Sequence, residues 1–189
     1  MENRQIAIIG GGVIGGGWLA RFLLNGWDVN LYDPDPEAMR KISEVLENAR
    51  HALPMLYEQN LAEEGRLRHC EHIKDAVCDA VYIQESVPER LELKQKVMAE
   101  IQAHCLPSAV IASSTSGFKP SELQASSQNP EQIMVCHPFN PVYLLPLVEM
   151  VPSPQTAQHH ITSAQQILEQ TGNNKYDDDL SVFIFDFKE

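Results

Sequence analysis

Two residues in the second half of the chain have the types needed for proton transfer. His137 follows the apolar run Ile133-Met-Val-Cys136 directly, and Glu149 stands inside a second apolar run, Leu147-Val-Glu149-Met-Val151. An imidazole titrates near neutral pH, so it can take a proton from a hydroxyl and release it again. A carboxylate on the neighbouring strand would hold one ring nitrogen, set the tautomer and stabilise the imidazolium, leaving the second nitrogen for a substrate. The other reading of the same residues is a histidine hydrogen-bonded within the proline-rich turn after it, and spacing alone does not separate the two.

Proton removal from an alcohol oxidises it only when a hydride acceptor is held nearby, and the N-terminal segment suits such a molecule. The run Gln5-Ile-Ala-Ile-Ile9 leads into glycines at Gly10, Gly12 and Gly15, and the apolar-periodic stretch Trp18 to Leu24 comes next. In a strand, turn and helix of this kind the first glycine permits the tight turn. The second lets the backbone approach a pyrophosphate, and the third lets the helix pack closely on the strand. The helix N-terminus then offers free N–H groups and the positive end of its dipole to the phosphates. A second strand, Asp28-Val-Asn-Leu-Tyr32, ends at Asp33. A carboxylate there accepts from ribose hydroxyls and repels a 2′-phosphate, which favours NAD over NADP. Asp33 also suits a plain cap for the next helix, beside Pro34, Asp35 and Pro36.

The rest of the chain alternates in the same way. Met39, Ile42, Val45, Leu46 and Ala49 recur at helical spacing after Asp35 and Pro36, and the pattern continues past Pro54 to Leu61, with Gly65 closing it. A weak strand is expected at Leu67 to Cys70, a short helix at Ile73 to Val77 and a strand at Ala80 to Gln84. Ser86-Val-Pro-Glu89 has capping-box spacing and opens a helix carrying Leu91, Lys94, Val97, Met98 and Ile101. Val110 to Ser113 reads as a buried strand, Pro120 to Ala125 as a short helix, and Ala157 to Leu168 as a final helix ended by Gly172. Alternating strands and helices imply an α/β fold of the Rossmann type, a doubly wound, mostly parallel sheet with helices on both faces. Ligands are then held outside the carboxyl ends of the strands.

Composition narrows the partners. The 189 residues carry a formal charge of −12, with 43% hydrophobic and 21% charged residues. Nucleic acid and anionic membrane both call for a basic surface, so a small molecule is the expected partner. Ile6 to Ile14 is too short and glycine-rich to span a bilayer, and Glu2 and Arg4 make a poor signal-peptide start, so the expected location is the cytoplasm. The four cysteines form no Cys-x-x-Cys pair, and no metal site is expected.

Several separated motifs share a known order and spacing: Gly10-x-Gly12-x-x-Gly15, Ser113-Ser-Thr-Ser116, His137-Pro-Phe-Asn140-Pro and Leu147-Val-Glu149. Through them the chain resembles the 3-hydroxyacyl-CoA dehydrogenase family from about Gln5 to Gly172. The runs Gly12-Val-Ile-Gly15-Gly-Gly-Trp18, Gln84-Glu-Ser-Val-Pro-Glu-Arg-Leu-Glu-Leu-Lys94 and His137-Pro-Phe-Asn-Pro-Val-Tyr-Leu-Leu-Pro-Leu-Val-Glu149 resemble its carnitine branch in particular.

The resemblance implies NAD-dependent oxidation of the 3-hydroxyl of L-carnitine, with His137 as base and Glu149 its partner. It implies that Ser116 and Asn140 contact the substrate oxygen or position His137, and that Asp33, Glu89 and Lys94 lie near the cofactor. Simpler roles stand beside these: Ser116 as a cap for the next helix, Glu89 as a capping-box glutamate, Lys94 as a solvated lysine. A trimethylammonium group is best held by aromatic faces, for which Phe139 and Tyr143 are the candidates, unless both rings only pack the loop.

Members of the family continue into a helical C-terminal domain that closes the cleft and carries the dimer contact, so full-length relatives are expected to be homodimers. Residues 1–172 read as the NAD-binding domain. Residues 173–189 resemble neither the further strand nor the entry into the helical domain that the family carries at this point, and a truncated or frame-shifted product with weak turnover is the expectation. Two other functions remain: a 3-hydroxyacyl-CoA dehydrogenase, and a non-catalytic NAD-binding or structural protein like the lens lambda-crystallin that the family also resembles.

Overall fold

A computed structural model of the chain describes residues 4–56 and 62–171 and the backbone of 181–184. Its frame is one eight-stranded sheet with strands in the order β3-β2-β1-β4-β5-β6-β7-β8. The strands are β1 (Gln5–Ile9), β2 (Asp28–Tyr32), β3 (Leu67–Cys70), β4 (Tyr82–Glu85), β5 (Val110–Ser113), β6 (Ile133–Pro138), β7 (Leu147–Val151) and β8 (Ser181–Ile184). All neighbouring pairs are parallel except β6 and β7, which run antiparallel. From β1 the chain winds outward to β3, then returns to the other side of β1 to begin β4. The crevice at this reversal lies above the carboxyl ends of β1 and β4, where the doubly wound topology leaves room for a ligand.

Strand residues alternate between two cores. Ile6, Ile8, Val29, Leu31, Tyr82 and Ala112 face one side, covered by Trp18, Leu19, Phe22 and Leu23 of α1 (Val13–Leu24), Ile42, Leu46 and Ala49 of α2 (Ala38–Leu56), and a further helix, α6 (Gln158–Glu169). Ala7, Ile9, Ile83, Ile111, Ile133 and Val135 face the other, under α3 (Ile73–Val77), α4 (Leu91–Gln102) and α5 (Pro120–Gln124). A strand apolar on both faces must be covered on both, which is why these strands read as continuous apolar runs. Among the described residues, no helix is long and apolar enough to cross a membrane.

Several local expectations shift. The first helix begins at Val13 rather than near Trp18, with Gly12 as its N-cap, so Gly15, Gly16 and Gly17 are helical and buried. Tertiary packing outweighs the low helix propensity of glycine there. Gly65 does not end α2. It crosses close beneath Trp27, where a Cβ would stand 1.9 Å from the Trp27 carbonyl oxygen, and its N–H donates to Leu23. Ser86 and Glu89 form no capping box, because α4 starts at Leu91 with Arg90 as N-cap. The apolar C-terminal run pairs through Ser181–Ile184 as a parallel edge strand beside β7. The continuation of α2 to Leu61 and the stop at Gly172 fall outside the described residues.

Candidate active site

The glycine turn closes against the first residues after β4. Gly10 has φ +98°, and a Cβ there would meet the Ser86 carbonyl oxygen at 2.7 Å. At Gly15 a Cβ would lie 1.8 Å from the Gly10 carbonyl oxygen, so helix and turn touch backbone to backbone. At Gly12 a Cβ would meet nothing within 4 Å. That position faces open space at the N-terminus of α1, where the first-turn N–H groups have no capping side chain and are free to meet a pyrophosphate. Asp33 comes directly after β2. Its Oδ2 accepts the Gly11 N–H at 2.5 Å and its Oδ1 accepts the Asp35 N–H at 2.7 Å. Each oxygen keeps lone-pair capacity for a ribose hydroxyl. The carboxylate therefore braces the glycine turn and the turn into α2 as well as facing the crevice edge. Turn, helix end and acid together fit a dinucleotide.

On the far side of the crevice, the antiparallel register sets His137 directly opposite Glu149. Opposed residues project to the same face of an antiparallel pair. His137 Nδ1 and Glu149 Oε2 are 3.3 Å apart, with side chains 29% and 36% exposed. The carboxylate thus holds Nδ1 and leaves Nε2 free to meet a substrate.

Two cavities meet at His137. One, of about 300 Å³, runs from Ile14 at the start of α1 past Ser86, Glu89 and Lys94 to His137. The other, of about 490 Å³, extends from His137 and Glu149 toward Phe118, Lys119 and Pro152. Among the described residues, only Ser116 and His137 line both.

Beneath Ser116 lies a network of buried polar groups. Glu85, at the end of β4 and wholly buried, accepts from Lys94 Nζ at 2.8 Å, the Val87 N–H at 2.7 Å and the Ser113 hydroxyl at 2.5 Å. Lys94 is 1% exposed and its ammonium also lies 3.3 Å from Glu89 Oε2. The reading of Lys94 as a solvated lysine is therefore overturned. It occupies the buried face of α4 with Val97, Met98 and Ile101, and paired carboxylates compensate its charge. Glu89 accepts from the Thr115 hydroxyl and the Gly117 N–H. Burial pushes the Glu89 carboxyl up, but hydrogen bonds from Thr115, Lys94 and Gly117 and the charge of Lys94 outweigh it and hold its pKa below the usual value.

Other expected residues lie differently. The cap of α5 is Lys119, so Ser116 caps no helix. Phe139 meets the His137 ring edge-on, with centroids 5.8 Å apart. Asn140 is exposed, Tyr143 packs against the core, and neither lines either cavity. Glu85, Ser113 and Thr115 had no role assigned from sequence. The available signal was a carboxylate at the carboxyl end of a buried strand, since such a group requires compensating partners.

The fold agrees with comparisons to known proteins. The family model for the 3-hydroxyacyl-CoA dehydrogenase NAD binding domain matches residues 5–175. The L-carnitine dehydrogenase/betainyl-CoA thioesterase of Ruegeria pomeroyi is 60% identical over 166 residues, covering 88% of this chain and 34% of that protein. The L-carnitine dehydrogenase of Mesorhizobium japonicum is 54% identical, over 89% of this chain and 46% of that protein. The chain thus spans about a third to a half of these relatives. Among solved structures, 5-formyl-3-hydroxy-2-methylpyridine 4-carboxylic acid 5-dehydrogenase, an NAD+-dependent dismutase, superposes with a TM-score of 0.84 at 30% identity, over 96% of this chain and 57% of that one. The 3-hydroxybutyryl-CoA dehydrogenase of Escherichia coli K12 superposes with a TM-score of 0.81 at 25% identity, over 92% and 38%. The chain belongs to the 3-hydroxyacyl-CoA dehydrogenase family, as its NAD-binding domain.

Proposed function

We propose that the chain takes part in the NAD-dependent oxidation of the 3-hydroxyl of L-carnitine to 3-dehydrocarnitine, with His137 as general base. The observation that carries this reading is His137, paired with Glu149, at the junction of two cavities, one reaching Ile14 in the first turn of α1 and one open for a substrate. The likeness to proteins named L-carnitine dehydrogenase supports the choice of substrate.

NAD, when bound, would supply the acceptor for the hydride released as the carbinol C–H bond breaks. His137 Nε2 takes the hydroxyl proton as that bond breaks, so the products are a ketone, reduced NAD and a proton passed on to solvent. Glu149 keeps Nδ1 protonated and stabilises the imidazolium. Ser116, on both cavity walls, donates to the substrate oxygen. Phe139 beside His137 and Phe118 in the larger cavity present aromatic faces to the trimethylammonium group. Gly10, Gly12, Gly15 and Asp33 hold the dinucleotide, and Glu89 and Lys94 border its reactive end. Asn140 and Tyr143, outside both cavities, have no part in this reading.

The test is NADH formation by the 189-residue chain with NAD and L-carnitine, beside a His137→Ala variant and a 3-hydroxyacyl-CoA. Carnitine-dependent NADH lost in the variant is the expected result. Activity with the acyl-CoA alone, or carnitine activity that survives His137→Ala, would overturn the proposal.

A further inference from the structure

Glu85, Lys94 and Glu89 form a line of charges running from the interior to the crevice. Lys94 Nζ stands between Glu85 at 2.8 Å and Glu89 at 3.3 Å. Among the described residues, Glu85 accepts from Lys94, the Val87 N–H and the Ser113 hydroxyl, all donors. Glu89 likewise accepts from Thr115, Gly117 and Lys94.

Two carboxylates therefore share one ammonium, and the cluster carries one surplus negative charge. Glu85 is wholly buried, whereas the Glu89 side chain is 45% exposed and lines the 300 Å³ cavity. The surplus is thus presented on the cavity wall. The other groups of that wall, apart from Lys94 itself, are aliphatic, hydroxyl-bearing or the imidazole of His137.

A hydride acceptor must lie within reach of the substrate that His137 deprotonates. The cavity that joins the glycine-turn helix to His137 is where the nicotinamide ring fits, a placement that rests on the proposed role of His137. That ring is cationic when oxidised and neutral when reduced. We propose that the surplus charge at Glu89 strengthens the binding of NAD relative to NADH in this cavity, so the same wall that admits the oxidant favours release of the reduced product. A unit charge about 5 Å away through an effective dielectric near 20 shifts an equilibrium by about a hundredfold. Solvent at a half-exposed carboxylate reduces that to about tenfold.

The test is the pair of dissociation constants for NAD and NADH, measured by titration calorimetry at low ionic strength on the full chain, Glu89→Gln and Glu89→Asp. Glu89→Gln keeps the shape and removes the charge. It is expected to weaken NAD about tenfold and leave NADH within about twofold, while Glu89→Asp preserves the parent ratio. Equal weakening of both forms, an unmoved ratio in Glu89→Gln, or an equal shift in Glu89→Asp would each overturn the proposal. Binding requires no turnover, so absence of carnitine oxidation would count against the His137 reading and leave this result standing. Failure of the parent chain to bind either form would overturn this proposal together with the cofactor reading.

Discussion

The guanidinium of Arg21, buried in the last turn of α1, donates from Nε to the Val142 carbonyl oxygen at 3.0 Å and from Nη2 to that of Leu145 at 3.1 Å. The helix whose N-terminus faces the phosphate position thereby holds the loop between β6 and β7, which begins two residues after His137. Arg21→Leu removes both donors and leaves the two carbonyls to find other partners. A loss of about 2–3 kcal/mol is expected in urea unfolding, since hydrogen bonds from a charged group are worth about 1.5–3 kcal/mol. Hydrogen exchange at the Leu144 and Leu145 amides, both bonded to the Pro141 carbonyl, should rise beyond the global loss. Unchanged protection there would show that Arg21 does not hold the loop.

The N-cap glycine of α1 and a glycine within the helix should respond oppositely to the same methyl group. A Cβ at Gly12 meets open space, whereas one at Gly15 lies 1.8 Å from the Gly10 carbonyl. Gly12→Ala should leave the melting temperature within a few degrees and weaken NAD, because the methyl projects where the pyrophosphate approaches. Gly15→Ala should cost about 3 kcal/mol or more, through backbone displacement. Equal effects on folding from both changes would contradict the assignment of the open face.

Glu149→Gln tests the pairing across β6 and β7. An amide cannot stabilise the imidazolium as a carboxylate does, so carnitine oxidation should fall by about a hundredfold or more in kcat. The dissociation constant for NAD should not move, because Glu149 lines only the cavity remote from the glycine turn. A parallel loss of NAD binding would instead mark Glu149 as a structural residue.

Alkaline pH should unfold the protein through its core. Cys136 is fully buried on β6, and burial pushes its thiol from 9.0 up to about 12, only partly offset by Tyr82. A group whose pKa is raised on folding contributes stability that is fully present below its unfolded value and lost as pH rises through its folded value. The window is therefore pH 9 to about 12. The buried Tyr82 hydroxyl, also raised well above its usual value by burial, adds to the loss in the same direction. Cys136→Ala should lose less stability than the parent between pH 8 and 10.5 in denaturant titrations. Identical losses would remove Cys136 as a cause.

Much of this fold is legible locally. The strand at Val110–Ser113 arises from an apolar run bounded by turn residues, because a strand buried on both faces excludes polar side chains. The glycine turn is legible for a related reason. The positive φ of Gly10 and the backbone contact at Gly15 admit no side chain, so the residue type itself records the geometry.

What the sequence determined by itself was this framework: alternating elements, a turn shaped for a dinucleotide, an acid after the second strand, and a histidine delivered by a strand end. Only tertiary structure decided which groups meet. His137 faces Glu149 because β7 turns back antiparallel to β6, and a shift of one residue would send one of the two to the opposite face. Lys94, on α4, is buried because Glu85, at the end of β4, lies under it to receive its charge. Pairings of this kind leave no local period, since their energy depends on distance and desolvation set by how separate elements pack on one another.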